Sequence, residues 1–135
     1  MGRRSEEKVK QISMSMTGYF DKGKKTRRER FLAEMEQLVP WGRLCALIEP
    51  HYPKGSAAGG RPPLPVERMF RIYCLQQWYD LSDPGAEEAL YDSITMRRFA
   101  GVSTDEDVIP DETSILNFRR LLEKHQLTER LLGEM

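Results

Sequence analysis

The stretch from Arg61 to Leu81, RPPLPVERMFRIYCLQQWYDL, constrains the fold more than any other part of the chain. Pro62, Pro63 and Pro65 impose a stiff, extended entry, because each ring fixes φ and each proline pushes the residue before it out of the helical region. Pro65 also suits the first turn of a helix, where its missing N–H would have no partner in any case. From Val66 to Tyr79 there is no glycine or proline. Val66, Met69, Phe70, Tyr73 and Trp78 form one apolar face at helical spacing, and Ile72, Leu75 and Tyr79 form a second. A helix apolar on two sides is buried among several neighbours, and each large aromatic can bury roughly 150–250 Å². The pattern predicts the central helix of an all-α domain, with Trp78 among its core residues. Arg68 and Arg71 interrupt the apolar surface and are expected to reach solvent or a partner.

The remaining sequence is long enough to cover such a helix. A chain of 135 residues supports one domain that buries roughly two-thirds of its unfolded surface. No apolar run approaches the roughly 18 residues of a membrane span. The polar, basic N-terminus lacks the apolar core of a secretory signal, and Glu6 and Glu7 argue against a transit peptide. The expectation is therefore a cytoplasmic protein with no membrane partner. Cys45 and Cys74 lie in apolar helical contexts and read as reduced, buried thiols. His51 and His125 are isolated in sequence, and no His/Cys group has zinc spacing.

Net charge is zero, but its distribution is uneven. Residues 1–30 carry ten Lys/Arg against four Asp/Glu, whereas residues 82–112 carry two against nine. This asymmetry predicts a basic arm on a domain with an acidic side. Residues 1–25 read as that flexible arm and residues 26–135 as the helical domain. The arm either meets nucleic acid or stays solvated, with Tyr19 and Phe20 as its apolar anchor.

Thr26-Arg27-Arg28-Glu29 has capping-box spacing, and Phe31, Leu32, Met35 and Leu38 continue a helix to about Val39. A cationic first turn opposes the helix dipole, a mild cost that an anionic partner would offset. Trp41 to Glu49 is a short amphipathic helix ended by Pro50 and Pro53. Gly55, Gly59 and Gly60 mark a loop without a P-loop pattern. Asp83 reads as the N-cap of a helix from Pro84 to Tyr91, and Ser93 as the cap of another ending at Gly101. After an acidic loop, Asp111 to Thr113 opens a helix striped by Ile115, Leu116, Phe118, Leu121 and Leu122. Thr128 starts a last helix. The total is five to seven helices and no strand.

Catalytic chemistry finds little support. Asp105, Glu106, Asp107, Asp111 and Glu112 are clustered carboxylates of the kind that bind divalent cations. The glycine and bidentate glutamate of a calcium loop are missing, however, and acids before a helix are favourable without metal. No nucleophile–base arrangement is present, and no cofactor or metal is called for. The segment from Ser93 to Arg120 is more suggestive. Two helices separated by a loop resemble a helix-turn-helix, although the loop exceeds the usual three or four residues. Thr113, Ser114 and Asn117 sit at the front of its second helix, followed by Arg119 and Arg120. Such residues can meet base edges and phosphates, although Asp111 and Glu112 oppose phosphate, and a plain amphipathic core helix fits the same residues.

Five segments in order carry a family resemblance: RRERFLAEMEQLVPW, IEPHYPK, GRPPLPVERMFRIYCLQQWYDLSD, EEALYDSITMRRFAGVS and IPDETSILNFRRLLEKHQL. Together they resemble the N-terminal region of bacterial insertion-sequence transposases of the insertion sequence five family, over about Thr26 to Leu132. The resemblance implies double-stranded DNA, the terminal inverted repeats of an element, as partner. It also implies a catalytic Asp-Asp-Glu domain beyond this region. The chain stops at Met135, where that domain would begin, so no acid here inherits a catalytic role and a non-enzymatic module is expected. The chain would then be a truncated, frameshifted or first reading frame. The residues expected to meet DNA are Lys24, Lys25, Arg27, Arg28 and Arg30 on the basic segment, Arg97 and Arg98, and Thr113, Ser114, Asn117, Arg119 and Arg120. The alternative is a protein-interaction module that pairs with full-length transposase, or with itself, and regulates it.

Overall fold

The computed structural model describes residues 25–54, 63–102 and 108–134, and among these the regular structure is all helical, with no strand. Seven α-helices occur among them: α1 (Arg27–Leu38), α2 (Trp41–Ile48), α3 (Val66–Tyr79), α4 (Asp83–Asp92), α5 (Ile94–Ala100), α6 (Glu112–Lys124) and α7 (Leu127–Glu134), with a single 3-10 turn at Glu49–His51. No described helix is long and apolar enough to cross a membrane. The arm through Lys24, the loop glycines Gly55, Gly59 and Gly60, and the carboxylates Asp105, Glu106 and Asp107 lie outside the described residues.

The chain divides into two compact units, one ending at Met35 and one running from Glu36 to Met135. In the first, the capping box forms as its spacing requires. The Glu29 N–H donates to Thr26 Oγ1 at 3.1 Å, and the Thr26 N–H reaches Glu29 Oε1 at 3.4 Å. Each satisfies a donor that the first helical turn would leave bare. Leu32 is the buried residue of α1.

In the second unit α3 is the centre, packing against α2, α4, α5 and α6. Both apolar stripes are used: Met69, Phe70, Ile72, Cys74 and Leu75 are all buried. Full burial of a side chain such as Phe70 contributes roughly 1.5–3 kcal/mol. The aromatic core differs from the expectation. Trp41 is buried, its ring edge-to-face with Phe70 at 5.7 Å and Phe99 at 5.6 Å. Trp78 is only half-buried against Phe99, because it lies near the C-terminal end of α3. Arg71 also departs from expectation: it is 8% exposed and turned into the fold.

The helix ends follow local chemistry. Asp80 ends α3 in the left-handed region (φ 53°), and the Leu81 N–H returns to Gln76 O at 3.0 Å, closing the orphan carbonyls of the last turn. The cap of α4 is Ser82, not Asp83: Ser82 Oγ accepts from the Gly85 N–H at 3.0 Å. A Cβ on Gly85 would lie 2.9 Å from that oxygen, so glycine is what lets the cap close. Ser93 caps α5, and Gly101 (φ 86°) ends it in a conformation that favours glycine.

Candidate nucleic-acid interface

The candidate DNA-facing residues fall into a group in the first unit and three groups in the second. In the first unit, Lys25, Arg27, Arg28 and Arg30 are all exposed around the first turn of α1. Arg30 is held locally, its Nη2 donating to Lys25 O at 3.2 Å. Lys24 lies outside the described residues.

In the second unit, α6 supplies the front that the sequence singled out. Asp111 caps it, Oδ1 accepting from the Ser114 N–H at 2.8 Å. The Glu112 N–H donates to Glu87 Oε1 at 2.8 Å, which ties this end to α4. The Asp111 carboxylate keeps its charge in this cap, and Glu87 brings a second carboxylate to the same helix front. Thr113 and Asn117 are exposed, one helical turn apart, and Ser114 is half-buried between them. Ser114 and Asn117 form the polar edge of a cavity of about 280 Å³, whose apolar wall includes Tyr52, Leu64, Met69 and Phe118. The Tyr52 hydroxyl donates to Leu64 O, closing one side of that wall. The principal neighbours of α6 are α4, α3 and α7, so the helix is held by a wider base than a compact two-helix motif provides.

The two arginine pairs are split by their surroundings. Arg119 Nη2 donates to Asp83 Oδ2 at 2.8 Å, and its Nη1 to Glu123 Oε1 at 3.0 Å. Asp83 also accepts from Gln76 Nε2 at 2.9 Å. The Arg119 hydrogen bond, helped by Gln76, holds the Asp83 carboxyl below its ordinary pKa. Arg119 thus joins α6 to α4, while Arg120 next to it is exposed. Arg97 behaves as Arg119 does: its Nη1 donates to Leu90 O at 2.9 Å and Tyr91 O at 2.7 Å, satisfying carbonyls at the end of α4. Arg98 is exposed. Sequence spacing could not separate Arg119 from Arg120, because Asp83 lies 36 residues away, whereas Arg97 finds its carbonyls six and seven residues back.

Two further features escaped the sequence. The rings of His51 and His125 stack at 4.1 Å between the 3-10 turn and the end of α6. Desolvation, then the charges of His51 and Lys124, lowers the His125 pKa. Arg71, expected to reach outward, instead binds Glu36, Glu67 and the Phe99 carbonyl. Burial pushes the thiols of Cys45 and Cys74 up to about 11 and about 12, so neither is poised as a nucleophile. Among the described residues no group of three or more His, Cys, Asp or Glu is placed to hold a metal ion.

Comparison with known proteins gives a family model, Transposase domain (DUF772), that matches residues 20–121. No solved structure matches the chain.

Proposed function

Because the chain belongs to the DUF772 transposase-domain family, we infer that it is the DNA-recognition module of an insertion-sequence transposase of the insertion sequence five type, recognising terminal inverted repeats without itself cutting DNA. The family match carries the reading. The exposed front of α6, with Thr113 and Asn117 one turn apart and Arg120 beyond, supports it by supplying a surface of the right chemistry. In this reading the cations at Lys24, Lys25, Arg27, Arg28 and Arg30 hold the phosphate backbone, and α6 reads bases.

The test is a salt titration of the full chain on a terminal-repeat duplex and a scrambled duplex. Each phosphate contact contributes roughly 0.9 to the slope of log affinity against log salt. Replacing Lys24, Lys25, Arg27 and Arg28 with alanine is expected to flatten that slope by up to about 3–4 and to weaken both duplexes alike. No detectable binding at about 50 mM salt, together with a stable complex with full-length transposase, would favour the pairing role instead.

A further inference from the structure

Three different surfaces run along α6. Ile115, Phe118 and Leu122 are buried. Thr113, Asn117 and Arg120 are exposed on one side of that buried face. Glu112, Arg119 and Glu123 follow at helical spacing on the other flank, where α6 packs against α4. Apolar burial is non-directional, so the buried face alone would let the helix roll about its axis. Each residue turns a helix by about 100°, and a fraction of that roll would carry Asn117 and Arg120 away from a base edge.

Two directional ties to α4 remove that freedom. At the front, Glu87 Oε1 accepts from the Glu112 N–H at 2.8 Å. Two turns on, roughly 10 Å along the axis, Arg119 grips Asp83 with two donors, Nη2 to Oδ2 at 2.8 Å and Nε to Oδ1 at 3.4 Å. Asp83 is in turn held from α3. Gln76, itself 5% exposed, donates Nε2 to Asp83 Oδ1 at 2.9 Å and to Leu81 O at 3.2 Å. A carboxylate fixed by a buried amide is a rigid point for a planar guanidinium fork. Both anchors are acidic, and their charge would oppose DNA, so any contribution they make to recognition passes through α6.

Resting on the reading in which α6 meets DNA, we propose that Asp83 and Glu87 are positioning residues for sequence recognition. Together they form a two-point latch that sets the roll of α6, and so the direction in which Asn117 and Arg120 are presented to a duplex. Arg119 acts through Asp83 and makes no phosphate contact of its own. Two arginines adjacent in sequence thus divide the work: Arg120 meets DNA, and Arg119 aims the helix that carries it.

The test uses the full chain and the same two duplexes, with thermal melting of each variant. Asp83→Ala, Arg119→Ala and Glu87→Ala are each expected to lower the preference for the terminal repeat by about 2- to 30-fold, the range for residues that tune recognition without touching the ligand. Asp83→Ala/Arg119→Ala is expected to fall no further than either single variant, because all three remove the same interaction. Glu87→Gln, which keeps an acceptor for the Glu112 N–H, is expected to retain the wild-type preference. The slope of log affinity against log salt is expected to stay unchanged in Arg119→Ala, where a lost phosphate contact would reduce it by about 0.9. The Glu87 variants leave the Asp83 tie intact and serve if the Asp83 or Arg119 variants fail to fold. A slope reduced by about 0.9 in Arg119→Ala, or folded alanine variants with the wild-type preference, overturns the latch while leaving the reading of DNA by Asn117 and Arg120 intact. A wild-type chain that binds both duplexes equally overturns that reading and the latch with it.

Discussion

Arg71 and Glu36 form a bidentate pair, Arg71 Nη1 to Glu36 Oε1 at 2.6 Å and Nη2 to Oε2 at 2.7 Å. The guanidinium carbon lies 4.3 Å from the centroid of Trp41 and 4.9 Å from that of Phe99. A third hydrogen bond reaches Phe99 O at 3.0 Å. One side chain of α3 thus fastens the Glu36 segment, the start of α2 and the end of α5. Burial of the cation is tolerable because every face of it is either paired or stacked.

Removing that fork is expected to be costly. Both carboxylates are about half exposed and can rehydrate, so the full penalty for breaking a buried pair does not apply. Arg71→Ala is expected to cost about 2–3 kcal/mol. Arg71→Lys, which keeps the charge but loses the planar fork and the stacking, is expected to cost about 1–2 kcal/mol. Urea unfolding of both variants checks this, and a lysine variant as stable as wild type would show that charge alone suffices.

Stability is expected to fall in acid for two identifiable reasons. The Arg71 hydrogen bond lowers the Glu36 pKa, and the Arg119 hydrogen bond lowers that of Asp83. A carboxylate with a depressed folded pKa contributes stability above its unfolded value, roughly 4.3 for Glu and 3.9 for Asp. That contribution is lost as pH falls through the lower folded value. Melting temperature measured from pH 7 down to 3 should therefore drop for wild type. Glu36→Gln/Asp83→Asn should start lower at pH 7 and drop less steeply; an identical acid limb would mean that other carboxylates govern it.

The two tryptophans are expected to differ. Trp41 packs on Phe70, Phe99 and Arg71, whereas Trp78 is half-buried against Phe99. Trp41→Ala is expected to cost about 3–5 kcal/mol, the range for a large aromatic removed from a core. Trp78→Ala should cost about half as much, since part of its surface is already in water. Chemical denaturation of the two variants ranks them, and the reverse order would misplace the centre of the core.

Local signals in the sequence translated faithfully into structure. The capping box at Thr26 and Glu29, the extended backbone of Pro65 before Val66, the two apolar faces of α3 and the glycine ending α5 all depend on residues within one or two turns; Pro62 lies outside the described residues. What sequence could not deliver was long-range pairing. Asp83 looked like a cap because Asp before Pro is a good cap, but Ser82 takes that role, and the Asp83 carboxylate is drawn to Gln76 and Arg119. Arg71 looked like an outward cation because its partner Glu36 lies 35 residues back. Arg119 resembles Arg120 in sequence for the same reason, its partner Asp83 lying 36 residues back, whereas Arg97 turns to carbonyls only six and seven residues away.

The proposed reading of DNA sequence by α6 is measured by the ratio of affinities for terminal-repeat and scrambled duplexes. If the exposed Asn117 or Arg120 contacts a base, its replacement by alanine should lower that ratio by the equivalent of about 1–3 kcal/mol. Binding to the scrambled duplex should change little. The expected result is a wild-type preference for the terminal repeat that falls in Asn117→Ala or Arg120→Ala at unchanged melting temperature. A wild-type chain that binds both duplexes equally, or a preference unaffected by both substitutions, would contradict it.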